Sequence, residues 1–530
     1  MISLNRATKI LIELGLLAVI LVALAFKPFE LDRYFVPKEL ALHIVALLCA
    51  IALFSNRRRV SLGIVDICLI AFLTFSGISA LFATNYWLAQ RAVGLSVSSA
   101  LVFWMSRRIA RGGGARGLLW AAAAATVVAA ATALLQTYGV DSEFFTLARA
   151  PGGTLGNRNF IAHICAIGLP TLVWCTATAK RQTGALIGSL GVALVAAALF
   201  LSRSRAAWLA LLASVFILAI LLLSSRKYWN RELVGGRIAR IALAGAIGAI
   251  LSAVLPNSLH WNSDSPYLDS ARGVVDYRKG SGGGRIAQYR NSLKMVKANP
   301  VLGVGPGNWP VRYVQYAPGS DKSLTDDRTT ANPWPSSDWV AFVSERGLLA
   351  TVALLGVFGA LFIGSFLRWK DNLDSDAVLL KLAMAATITA AIVVSCFDAA
   401  LLLAAPAFLV WGILGAASGG SGGHAARKEV ELSGTAWKAL AALTIIVVAA
   451  SVVRSTSSTY AMSVIGGGGH TADWVTGAQL DPGSYRINAR VAELYANRGK
   501  CAKARPYARQ ALSLFPSSYT PRRILRRCGA

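Results

Sequence analysis

Apolar residues along this chain come in long blocks, and the short runs between them hold most of the charge. The blocks fall near 9–26, 39–54, 62–82, 88–105, 117–138, 159–178, 184–201, 206–224, 237–255, 347–367, 377–396, 398–417 and 436–453. A bilayer core of about 30 Å is crossed by about 20 helical residues. Inside it only a helix or a closed barrel satisfies every backbone amide and carbonyl. The pattern therefore predicts an all-α polytopic membrane protein with about 12–13 transmembrane helices.

Two stretches escape the apolar rhythm. One is a loop of about 90 residues, 256–346, and connections this long in compact proteins usually carry function. It opens on a Gly-rich run from Lys279 to Gly284, continues in a helical pattern over 285–298, and then turns through Asn299-Pro300-Val301-Leu302-Gly303-Val304-Gly305-Pro306-Gly307. The other is the tail. The expected division is a membrane domain over 1–455, a Gly-rich linker over 456–470 and a soluble helical module over 471–530. In that module Pro482 and Pro516 close similar helix ends, and Ala492, Tyr495, Gly499, Ala504 and Ala511 fall where a tetratricopeptide repeat packs its two helices. An ordinary helical hairpin has the same pattern.

Charge then orients the chain. With the N-terminus inside, the inner loops carry Arg57-Arg58-Arg59, Arg107-Arg108 with Arg111 and Arg116, Lys180-Arg181, Arg226-Lys227 with Arg231, Arg368 with Lys370, and Arg427-Lys428. Cytoplasmic loops of membrane proteins are enriched in Lys and Arg in this way. The long loop and the tail then face the periplasm, as expected of a bacterial inner-membrane protein. The first block follows Arg6 and Lys9 and lacks a small-residue cleavage site, so it reads as an uncleaved first helix. Composition agrees: 55% of residues are hydrophobic and 15% charged, against about a quarter charged in soluble domains. The net charge of +28 belongs to these loops, and no basic stretch interleaved with aromatics suggests nucleic acid. Five cysteines, Cys49, Cys68, Cys165, Cys175 and Cys396, lie in apolar blocks as small hydrophobes, while Cys501 and Cys528 in the tail can pair in an oxidising compartment.

Chemistry concentrates in arginines expected at the outer face. Arg149 precedes Gly156-Asn157-Arg158-Asn159, Arg203 and Arg205 frame a tight turn between two spans, and Arg285 with Arg290 lie on the helical part of the long loop. Arginine near a membrane interior is costly unless paired or functional. Its planar, permanently charged fork of donors suits phosphate oxygens. Snorkelling to headgroups is the alternative for any single one. Of the histidines, His43 and His163 lie within apolar spans, and His163, just after Asn159, is kept as a site candidate; His424 and His470 lie in Gly-rich segments. The Gly runs at 112–114, 282–284 and 466–469 read as flexible joints. No metal-ligand spacing, phosphate loop, nucleophile elbow or dinucleotide fingerprint occurs, and no cofactor is expected.

These residues give the chain a resemblance to the O-antigen ligase and polymerase superfamily, membrane glycosyltransferases acting on polyprenyl-diphosphate-linked glycans. The resemblance rests on Gly156-Asn157-Arg158-Asn159, on Ser204-Arg205 opening a helix, and on Arg285 followed by Asn299-Pro300 and Gly303-Val304-Gly305-Pro306-Gly307-Asn308. Asp338-Trp339-Val340 and Glu345-Arg346-Gly347-Leu348 complete it. It implies that Arg205 and Arg285 hold the donor diphosphate and neutralise the charge that grows on it, with Arg149, Asn157, Asn159, Arg203 and Arg290 binding substrate. The acceptor is a hydroxyl on a lipid A core, on another lipid-linked glycan or on a protein side chain. Relatives usually carry a histidine where this chain has Ser336, two residues before Asp338. The first substitute expected as proton acceptor is Asp338, followed by Asp326, Asp327, Glu345 and His260. A lipid-linked glycan transporter is the rival reading, but the chain lacks the two related halves common in such proteins.

Overall fold

A computed structural model describes residues 2–30, 32–55, 59–146, 149–229, 231–275, 280–366, 374–420 and 428–529. Arg57, Arg58, Lys279, Arg368, Lys370, His424 and Arg427 lie outside the described residues. The protein is an all-α bundle, and nine of its described helices are long and apolar enough to cross a membrane. One of these is the 52-residue run Tyr86–Thr137, which Gly113 breaks into two helices with a φ of 90°. The apolar helices Ile64–Ala80 and Ala404–Gly420 are shorter, and Ile2–Leu21 packs among the others.

Burial separates the centre from the rim. In Arg158–Ala177, 89% of the apolar window is buried inside the protein, against 11% in Gly434–Gly468. Without a hydrophobic drive between helices in lipid, small residues allow the close approach that gives dispersion contacts. Thus Gly168 lies where a Cβ would stand 1.9 Å from Thr126 Oγ1, and Gly188 where one would stand 2.2 Å from Thr176 Oγ1. A methyl group at either would push the helices apart.

The two ends of the bundle differ. At one end Arg116 donates to Thr178 O (2.9 Å) and pairs with Asp376 (2.6 Å), Arg237 donates to Ala177 O and Ala179 O, and Arg107 pairs with Asp66. The same end carries a feature absent from the expected all-helical pattern: strands Arg59–Leu62 and Lys428–Glu431 pair antiparallel, with Arg59 opposite Glu431. At the other end the expected outer segments gather. Arg33 reaches Glu143 O, Ser258 Oγ reaches Thr137 O, and Asn85 Nδ2 reaches Leu514 O of the tail.

The tail is four helices, Thr471–Leu480, Tyr485–Asn497, Cys501–Leu514 and Tyr519–Arg527, with Cys501 and Cys528 joined in a disulfide. The expected linker differs from what is seen. Residues 456–468 continue helix Gly434–Gly468, because Met462 and Ile465 pack with Phe29, Val36, Ala478 and Ile487 in one apolar cluster. Gly466 abuts Phe26, and only Gly469, at φ 68°, ends the helix. The run at 282–284 likewise belongs to a helix, Gly280–Ala298.

Candidate functional site

Helix Arg158–Ala177 organises the end of the bundle where the long loop and the tail gather. Asn157 precedes it as N-cap, its side chain accepting from Asn159 N at 3.0 Å, which satisfies one of the amides a helix start leaves open. The loop leading in is held by Gln136, whose Oε1 accepts from Gly152 N and Gly153 N, both at 2.8 Å, while Nε2 donates to Thr146 O. Arg158 N closes the loop on Arg149 O at 3.0 Å.

On one side of this helix lies a cavity of about 820 Å³ lined by Gln136, Asp141, Arg158, Arg203, His260 and Trp261 among others. The guanidiniums of Arg158 and Arg203 lie over the Trp261 ring at 5.0 and 4.4 Å from its centroid, as cation–π contacts do. Exposed Arg149 is within electrostatic reach of Arg158. Among the described residues no carboxylate forms an ion pair with any of these three. Asp269 lies within electrostatic reach of Arg203 and Asp141 lines the cavity, yet three like charges gathered this closely repel one another and favour a bound anion. Arg205, two residues past Arg203, begins the next helix and donates to Gly273 O. Arg158 and Trp261 were missed by sequence reasoning; the first lay inside a quoted motif, and nothing local marked the second.

On the other side Asp398 approaches. Asn159 Nδ2 donates to its Oδ2 at 3.2 Å, and His163 Nε2 stands 3.9 Å from the same oxygen. Arg285 lies within electrostatic reach of His163. Trp334 packs edge-on against Phe35 at 5.1 Å, and Phe160 against Phe35 at 5.6 Å, so the Trp334–Asp338 segment closes over the start of the helix. Tyr289, one turn beyond Arg285, donates from its hydroxyl to Ser336 O (2.6 Å) and Cys396 O (3.0 Å), and Gln288 Oε1 accepts from Ser336 N (2.7 Å). Arg285, Ser336, Asp398, Asn159 and His163 thus share one neighbourhood. In the sequence Asp398 reads only as the first residue of the apolar block 398–417.

Asp338, the first expected proton acceptor, is tied into the fold. It is fully buried, and its carboxylate accepts from Ser395 Oγ (2.7 Å), Ala400 N (2.9 Å), Leu401 N (2.8 Å) and Leu402 N (3.3 Å). Three of these bonds converge on Oδ2, so the carboxylate fastens the 395–402 turn and thereby places Asp398. The reserve candidates are also dispersed. Asp326 is exposed on the long loop, and Asp327 binds the tail. Glu345 is buried, accepting from Gly307 N (2.8 Å) and Trp309 N (3.2 Å), while His260 lines the cavity. Arg290 is exposed further along the helix of Arg285.

The Gly-rich run from 303 to 307 is a structural plug. Helix Asp338–Phe366 breaks at Gly347, with φ 78°, and the freed backbone takes in the run: Val304 N donates to Ser344 O, Gly305 N to Glu345 O and Leu348 N to Pro300 O. Ser79 Oγ adds a bond to Glu345 O, and Asn308 Oδ1 accepts from Asn85 N. Buried Arg346 donates to Ser76 and Ser96 and lies between Phe72 and Phe342. This plug anchors the C-terminal end of the helix that carries Arg285.

Comparison with known proteins points the same way. No curated protein matches the chain. Residues 190–355 match the family model described as O-antigen ligase, a stretch that includes Arg203, Arg205, Arg285, the plug and the kinked helix. The matched stretch supports a likeness to the O-antigen ligase superfamily, and the apolar helices are those of a multi-pass membrane protein.

Proposed function

We propose that this chain transfers a glycan from a polyprenyl-diphosphate-linked donor to an acceptor hydroxyl at the periplasmic face of the inner membrane, in the manner of an O-antigen ligase. The observation that carries the reading is the gathering of Arg149, Arg158 and Arg203, none ion-paired to a carboxylate among the described residues, around the first turn of helix Arg158–Ala177, within and beside the family-matched stretch. Arg205 and Arg285 stabilise the leaving diphosphate, and Arg149, Arg203, Asn157, Asn159 and Arg290 bind substrate. Fixed cationic donors aimed at growing negative charge typically account for a factor of about 10²–10³ each. In this reading guanidiniums, rather than a metal, carry the leaving-group charge.

The orientation proposed, N-terminus in the cytoplasm and tail in the periplasm, is supported by the basic clusters of the inner loops and by the Cys501–Cys528 bond, of a kind formed in oxidising compartments. The tetratricopeptide-like tail is the natural place to recruit the acceptor, whether a lipid A core, another lipid-linked glycan as in a polymerase, or a protein. Purified protein is to be given a polyprenyl-diphosphate glycan and candidate acceptors, with Arg205→Ala and Arg285→Ala alongside. Transfer by the wild type that falls by two orders of magnitude in each variant supports the reading; a wild type that binds donor and transfers to no acceptor overturns it.

A further inference from the structure

Transfer to a hydroxyl releases a proton, and the groups first expected to take it are otherwise engaged. Asp338 is buried and bound to the 395–402 turn, Glu345 is buried and bound to the plug, and Asp327 is bound to the tail. Ser336 has no useful basicity near neutral pH.

His163 differs from all of these. It is 0% exposed, yet among the described residues neither ring nitrogen has a hydrogen-bond partner. Leaving a buried polar group unsatisfied is destabilising, so packing alone gives no reason to keep an imidazole here. Its Nε2 points to Asp398, 3.9 Å away, and Phe160 meets the ring edge-on. Asp398 is the outward member of the pair, with 14% of its side chain exposed. Asn159 holds one of its carboxylate oxygens, and Ala399 N donates to the other at 2.9 Å. The charged groups facing His163 are Asp398 and Arg285. Arg285 is proposed to bind the diphosphate, so proton acceptor and leaving group are neighbours.

We propose that Asp398 and His163 act as one proton-accepting pair for the acceptor hydroxyl, a role that rests on the glycosyl-transfer reading above. The acceptor oxygen attacks the anomeric carbon of the donor sugar and forms the new glycosidic bond. The bond from that carbon to the diphosphate oxygen breaks, and its electron pair leaves with the polyprenyl diphosphate beside Arg285. The hydroxyl proton passes to Asp398, is shared with His163 behind it, and is returned to water at the outer face. No oxidant, reductant or further reactant enters. Asn159 is a positioning residue: its amide holds the carboxylate oxygen that faces His163.

The test uses the full-length protein in the transfer assay, with donor binding measured separately. His163→Gln keeps side-chain size and polarity. General-base catalysis contributes about 10²–10⁴-fold, so the variant is expected to lose at least 100-fold in kcat while binding donor as the wild type does. Asp398→Asn is expected to do the same. Ser336→His introduced into His163→Gln places an imidazole on the same neighbourhood through a segment already tied to Tyr289 and Gln288. It is expected to restore at least tenfold of the loss, which a lost packing role would not allow. A His163→Gln enzyme within threefold of wild type overturns the proposal, as does a loss that Ser336→His leaves untouched. Either outcome, with wild-type transfer intact, leaves the glycosyl-transfer reading standing; absence of wild-type transfer overturns that reading and this proposal with it.

Discussion

Asp327 joins the long loop to the tail, and removing it gives the sharpest test of how the two outer modules are coupled. Its Oδ2 accepts from Ser518 Oγ at 2.9 Å and from the Tyr485 hydroxyl, its Oδ1 accepts from Thr520 N at 2.6 Å, and its carbonyl accepts from Tyr519 N at 3.1 Å. Asp327→Ala removes the three side-chain bonds and leaves the backbone one. Hydrogen bonds to a charged group contribute about 1.5–3 kcal/mol each when buried. Asp327 is only partly buried, so solvent screening reduces the total to about 2–3 kcal/mol of docking. That is roughly a 30- to 150-fold shift toward the undocked tail. The tail does not detach, because Asn85 still bonds Leu514 O and Arg486 still faces Asp32. Amide hydrogen exchange over Tyr485–Asn497 and Tyr519–Arg527 is the assay, and exchange should rise by about that factor while the membrane helices stay protected. The three donors hold the Asp327 carboxyl below the ordinary carboxylate range, outweighing the opposing effect of its burial. A depressed folded-state pKa means that docking is at full strength above the unfolded value of about 3.9 and weakens as pH falls through the lower folded value. The wild-type tail should therefore loosen only in acid, and the alanine variant should lose that dependence. A variant whose tail exchanges within threefold of wild type would refute the latch.

Four further outcomes follow from the same contacts. Glu345→Ala leaves the Gly307 and Trp309 amides without their acceptor and should cost about 2–4 kcal/mol, seen as a lowered unfolding midpoint in detergent. Gly347→Ala places a Cβ 2.0 Å from Val301 O at φ 78° and should disturb the plug and donor binding together, with wild-type thermal stability counting against it. Opening the Cys501–Cys528 bond by Cys501→Ser releases a loop of 27-residue separation and should destabilise the tail by about 3 kcal/mol, read as faster proteolysis of the tail alone. Arg158→Ala should weaken donor binding by about tenfold without changing the fold, since its guanidinium lies over the Trp261 face and lines the cavity; unchanged affinity would place the anion elsewhere.

Much of the fold was legible because the bilayer imposes a length and a polarity that a local window can read. The apolar block at 159–178 corresponds to helix Arg158–Ala177, and the block expected to open at 347 begins where Gly347 breaks the helix. What escaped depends on residues distant in sequence. The Gly-rich end of helix Gly434–Gly468 resembles a linker until Phe26, Phe29 and Val36 are packed against it. Strand pairing between Arg59–Leu62 and Lys428–Glu431 joins segments far apart in the sequence. The arginines were legible as a class, since charge beside apolar blocks is conspicuous, but their grouping was not. Arg203 and Arg158 meet through Trp261, whereas Arg290 stays exposed. Asp338 had the right chemistry for a base; only the folded 395–402 turn shows its oxygens occupied.

The central claim, glycosyl transfer with a lipid diphosphate as leaving group, is tested most directly by counting products. Protein reconstituted in vesicles with a polyprenyl-diphosphate glycan and acceptor is followed for both glycosylated acceptor and free polyprenyl diphosphate. The account predicts the two in equal amounts, with rates about 10²–10³-fold lower in Arg285→Ala. Donor that binds but yields neither product, or free diphosphate released with no glycosylated acceptor, would contradict it.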